Sequence, residues 1–109
     1  MTRLTTEIWI AAYLTRLRLA DIPAFVVAHG DDTAGSVLIK LNTLDSHATL
    51  YQRTYNLLED THQWGCILAD TEVEVDAAIV RQRLVDPDIW VIEVEDRAGR
   101  HMLDEPGFA

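Results

Sequence analysis

Four strand-patterned segments follow one another between residues 24 and 69 with no helix among them, and this succession constrains the fold more than any other feature of the chain. Residues 24–29 centre on the apolar run Phe25-Val26-Val27. Residues 36–41 form a second run. In residues 47–55, Leu50, Gln52 and Thr54 alternate against Tyr51, Arg53 and Tyr55, which is the period of a half-buried strand. Residues 64–69 make a fourth. Gly30-Asp31-Asp32-Thr33 and the polar stretch 42–46 carry turn chemistry, so the first three runs read as an antiparallel meander. Consecutive strands of this kind exclude a doubly wound α/β arrangement, which needs a helix after each strand.

Helical patterning lies at the two ends of this block. Over residues 5–19, Ile10, Tyr13, Leu14 and Leu17 follow i, i+3, i+4, i+7 spacing, widened by Ile8, Ala11 and Ala12. Thr5 or Thr6 can cap the first turn, and Asp21-Ile22-Pro23 stops the helix. Thr71-Glu72-Val73-Glu74 matches a capping box, and the helix it opens ends at Asp86-Pro87. Residues 89–95 then alternate cleanly, Trp90, Ile92 and Val94 against Glu93 and Glu95. A short last strand is expected at residues 101–103. The predicted class is α+β: an antiparallel sheet of four to six strands with two helices packed on one face, in the order α-β-β-β-β-α-β. Residues 1–109 form one domain, with 104–109 a frayed tail.

Charge and cysteine content narrow the functional classes. Nine basic residues stand against eighteen acidic ones, a net charge of −9, and a field of that sign repels phosphate backbones and anionic lipid. Arg3, Arg16 and Arg18 spread around the first helix rather than forming a patch, so no nucleic-acid partner is expected. Nor is a membrane, since no run approaches the ~18 apolar residues of a span. The single cysteine, Cys66, precludes an internal disulfide and reads as a small buried residue; a cytoplasmic location is expected.

Several stretches resemble a known family. Leu4-Thr5-Thr6-Glu7-Ile8-Trp9-Ile10, Ala34-Gly35-Ser36-Val37-Leu38-Ile39 and, most specifically, Asp86-Pro87-Asp88-Ile89-Trp90-Val91-Ile92-Glu93-Val94-Glu95-Asp96-Arg97 are similar to short alphaproteobacterial proteins grouped as a domain of unknown function. The resemblance implies one domain in a bacterial cytosol. It brings no activity, cofactor or site residue.

The candidate chemistry is sparse. The chain has no phosphate-binding glycine loop, no His-Glu-x-x-His, no Cys-x-x-Cys and no nucleophile elbow. His29, His47, His62, His101 and Cys66 are too scattered to supply the three or four converging ligands that zinc requires, so neither metal nor cofactor is expected. His29 with Asp31 and Asp32 can in principle do acid–base work, but the same residues make an ordinary turn. Glu93 and Glu95 can face a cation, although clean alternation favours a solvated strand face. Aromatics are the richer signal, because Trp and Tyr concentrate at binding surfaces. Trp9, off the main helical stripe, and Tyr51, Tyr55 and Trp64 are the interface candidates. The expectation is a binding module rather than an enzyme, with no catalytic residue, engaging a protein partner or itself as a homodimer. The alternative is a small enzyme or ligand-binding domain using the His29-Asp31-Asp32 turn or the Glu93/Glu95 strand.

Overall fold

The computed structural model describes residues 5–108, so Arg3 and Ala109 lie outside the described residues. Helix α1 (Thr6–Leu19) is capped by Thr5, whose hydroxyl accepts from the Ile8 amide at 3.4 Å. Glu7 lies in its first turn and Arg16 and Arg18 in its last, each sign where the helix dipole favours it. The chain leaves α1 through Asp21, which takes a left-handed φ of 58°. Strands β1 (Ala24–Ala28), β2 (Val37–Asn42), β3 (His47–Asn56) and β4 (Thr61–Thr71) follow, then helix α2 (Glu72–Val85) and strand β5 (Trp90–Glu95). The element order and the α+β class are as the patterning predicts. Thr71 caps α2 by accepting from the Glu74 amide at 3.2 Å.

The sheet has five strands in the order β1-β5-β2-β3-β4. β2, β3 and β4 form an antiparallel meander. β1 does not join it. β5 inserts between β1 and β2, antiparallel to the first and parallel to the second, so the expected antiparallel sheet is a mixed one. The cause lies in the connection from residue 29 to residue 36, which wraps the start of β5. Asp31 N–H donates to the Asp88 carbonyl at 3.0 Å, Trp90 N–H to the Ser36 carbonyl at 2.8 Å, and the Trp90 indole to the Asp31 carbonyl at 2.7 Å. Gly30 and Gly35 both press their backbones on the Asp88 carbonyl, where a side chain has no room. Gly30→Ala should therefore destabilise the fold by about 1–3 kcal/mol, the range for overpacking, as a denaturant titration can measure.

The helices lie on opposite faces, not on one. Val37, Ile39 and Leu41 of β2, with Trp90, Ile92 and Val94 of β5, pack with Trp9, Ile10, Tyr13 and Leu17 of α1. The intervening Leu38 and Val91 pack with Val75 and Ile79 of α2. β2 and β5 are central strands and carry apolar side chains to both sides, which two separate helices then cover.

Two further expectations fail. Residues 101–103 are irregular chain rather than a strand. Residues 104–108, expected to fray, fold back on α1: Leu103 is buried, Arg16 grips Glu105, and Phe108 joins the α1-side core. By contrast, Asp86 behaves as its sequence context predicts. Its carboxylate accepts from the Asp88 amide at 3.0 Å, and its carbonyl accepts from Ile89. Asp86→Ala should lose that one bond, lowering stability by about 0.5–2 kcal/mol in thermal melts.

Candidate functional site

Four regions bring the candidate residues into view. At the turn after β1, the His29 ring meets the Asp32 carboxylate at 2.7 Å and lies against the Trp90 ring, centroids 3.8 Å apart. The Asp31 carboxylate accepts from the amides of Thr33 (3.1 Å) and Ala34 (2.9 Å), so it is committed to the turn. Arg83 of α2 closes the region from the other side, donating to the carbonyls of Pro87 (3.0 Å), Ile89 (3.2 Å) and His29 (3.5 Å). These bonds brace the turn internally and fasten it and the loop before β5 to α2. Neither these residues nor Glu93 and Glu95 line the shallow hollow of about 350 Å³ at Gly99–Met102, Asp104 and Glu105. The structure brings His29 to Asp32 but does not join the turn to the acidic strand.

Glu93 has a different partner. Lys40, the chain's single lysine, points from β2 into the α2 side of the sheet with its side chain only 4% exposed. Its ammonium lies 2.7 Å from Asp76, 3.1 Å from Glu93 and 3.4 Å from Glu72. The Asn42 amide donates to Glu72 (3.1 Å) and Glu93 (3.2 Å), and its oxygen accepts from the Leu44 amide. Burial alone would lower the Lys40 pKa, but hydrogen bonds to Asp76 and Glu93 outweigh it and hold the ammonium above its ordinary range. Charged, covered and fully engaged, Lys40 is a tether between α2 and the sheet rather than a nucleophile. Glu95 takes no part in these ion pairs. A lone cation inside the apolar run Val37-Leu38-Ile39-Lys40-Leu41 was the sequence signal for this cluster. Among the described residues, no group of three His, Cys, Asp or Glu is arranged to hold a metal ion.

The aromatics converge, though not at an open surface. Trp9 is 6% exposed and stacks on Tyr13 with centroids 5.0 Å apart; Trp64 lies at 5.4 Å and Phe108 at 6.0 Å. Trp9 is thus a core residue, four positions before Tyr13 on the same helical face, and the sequence-based stripe was set one residue too far round. Trp64 and Tyr51 are half-buried and pack on the same core. Tyr55 lies in β3, and its side chain is outside the described ones. The Tyr13 hydroxyl donates to the His101 carbonyl at 2.7 Å, and burial, with Tyr51 nearby, raises its pKa. Cys66 is exposed on β4 rather than buried.

The fourth region is the sheet edge at β1. Ala24-Phe25-Val26-Val27-Ala28 carries no charge, hydrogen-bonds β5 on one side, and pairs with no other strand among the described residues. Phe25, Val26 and Val27 are 46%, 40% and 53% exposed. A bulge falls between Val26 and Ala28. The opposite edge, β4, is punctuated by His62, Gln63 and Asp70.

These features define a small two-helix α+β domain on a mixed five-stranded sheet. Its residues 4–104 match the model of the family described as protein of unknown function, DUF1491, and the chain belongs to that family. A DUF1491 family protein from Caulobacter crescentus is 38% identical; its crystal structure superposes with a TM-score of 0.86 over 95% of this chain and 98% of that one. The NMR structure of a DUF1491 family protein from the same organism gives 0.83 over 97% of each chain, again at 38% identity. The solution structure of a protein from A. tumefaciens, 25% identical, gives 0.74 over 86% of each. Both organisms are alphaproteobacteria, in keeping with the resemblance drawn from the sequence. No curated protein matches.

Proposed function

We propose that this chain is a cytoplasmic protein-interaction module whose recognition element is the free edge of β1, and that the edge pairs with β1 of a second copy. The observation that carries this reading is the exposed, uncharged Phe25-Val26-Val27 run on a strand hydrogen-bonded along one side only. An open edge offers unpaired amides and carbonyls to an extended segment, and soluble proteins ordinarily blunt such edges with lysine or proline. β1 has neither within its five residues; its protection is limited to its shortness, its bulge and Pro23 just before it, whose carbonyl accepts from the Glu95 amide. A cytoplasmic setting suits a chain whose one cysteine is free and exposed.

Each copy carries a net charge of −9, so two copies repel and salt should tighten the dimer by screening. Light scattering should show the mass rising from 12.3 kDa towards twice that value as concentration increases, more steeply at high ionic strength. Val27→Lys, which places a charge on an exposed edge position, should return the protein to 12.3 kDa without loss of folding. A wild-type mass of 12.3 kDa at every concentration and salt would overturn self-pairing.

A further inference from the structure

The C-terminal segment lies on α1 and β4 as a bound peptide lies on a receptor. It forms neither helix nor strand through residue 108, and its side chains alternate between anchors and solvent. Leu103 is buried, Glu105 and Phe108 are half-buried, and Asp104, Pro106 and Gly107 are exposed. Each anchor has its own receiver. Both nitrogens of an Arg16 fork donate to the Glu105 carboxylate at 2.7 Å, a bidentate geometry that distinguishes a carboxylate from other acceptors. The Phe108 ring meets Trp9 and Tyr13 edge-on, with interplanar angles of 89° and 70°. The Trp64 indole donates to the Phe108 carbonyl at 2.6 Å.

One observation indicates that this groove has a capacity the resident segment does not exhaust. The Trp9 indole N–H is buried in the aromatic cluster without a hydrogen-bond partner among the described residues. An unpaired buried donor is costly, and a segment bringing an acceptor to it would bind better than the present occupant.

We infer that the Trp9–Tyr13–Arg16–Trp64 groove is a docking site for a protein segment of the pattern apolar, carboxylate two residues on, aromatic three residues further, and that Leu103, Glu105 and Phe108 occupy it in cis. The resident segment competes at the high effective concentration of a tethered ligand, so docking from outside is weak until the segment loosens. This site is separate from the β1 edge.

The test uses the full chain and a nine-residue peptide reproducing residues 101–109, followed through the indole N–H resonances of Trp9 and Trp64. Phe108→Ala should loosen the resident segment, and the peptide should then bind saturably and at least tenfold more tightly than to the parent. Adding Arg16→Gln, or replacing the peptide's phenylalanine with alanine, should weaken binding at least tenfold. Indole resonances that stay fixed at millimolar peptide, in a Phe108→Ala chain whose β5 amides keep their native positions, would overturn the inference. Should that variant not fold, Glu105→Gln leaves the phenylalanine anchor in place and carries the same comparison with the same two readings. If wild-type self-association is reversed by the peptide, the docked segment comes from a second copy and the groove is supported.

Discussion

Replacing Lys40 with methionine should lower stability by about 3 kcal/mol, because it leaves Asp76, Glu93 and Glu72 facing one another around a covered position without their counter-charge. In a domain of this size that corresponds to a fall of about 12–24 °C in melting temperature. Asp76 and Glu72 are partly exposed and can turn towards water, which holds the loss near the lower end of the range for broken buried pairs. Glu93, only 14% exposed, cannot, so Lys40→Met with Glu93→Leu should recover part of the loss. The pH dependence follows from the raised Lys40 pKa. A folded-state pKa above the unfolded value means the tether contributes fully below the ordinary lysine value of 10.5, and its contribution fades as pH rises through the higher folded value. The parent should therefore lose stability on that alkaline limb, and Lys40→Met should show a flatter one. A Lys40→Met protein melting within about two degrees of the parent would contradict the tether, since a loss of that size lies below one kcal/mol.

Trp9→Ala should cost still more, about 3–5 kcal/mol, the range for removing a large buried aromatic. Trp9 touches Tyr13, Trp64 and Phe108, so its loss opens the cluster beneath residues 103–108 as well as the α1 core. Trp9→Phe should be far milder, below about 1.5 kcal/mol, because it keeps a ring in place and removes an indole N–H that satisfies no acceptor. Chemical denaturation followed by circular dichroism separates the two. Equal losses from both substitutions would mean the indole nitrogen is engaged after all.

What could be read from the residues was local. The Thr5 and Thr71 caps, the stop at Asp86-Pro87 and the Trp90–Glu95 alternation each rest on contacts a few residues apart, and each stands where the patterning put it. The order of strands did not follow from such signals. β5 enters between β1 and β2 because Gly30 and Gly35 let a loop close on Asp88 more than fifty residues away, and no periodicity carries that information. The same holds for the helices: both faces of β2 and β5 are apolar, so their pattern cannot say which side a helix takes. Of the candidate site residues, His29 and Asp32 do meet, but within a turn closed by Trp90 and Arg83. Trp9 was singled out as a partner-facing ring, and the chain's own Phe108 covers it. Lys40 was not singled out, although it is the one charge in an apolar strand, because its three carboxylates come from two other elements and meet only in the folded register.

The central functional claim is that β1 is the surface through which this domain binds. A dilution series of amide spectra tests it most directly, since it reads every strand at once. Pairing at the edge should move the resonances of residues 24–28 with concentration while those of the β4 edge stay fixed, and Val27→Lys should abolish the movement. Shifts that are independent of concentration throughout β1, or that move along β4 instead, would contradict it.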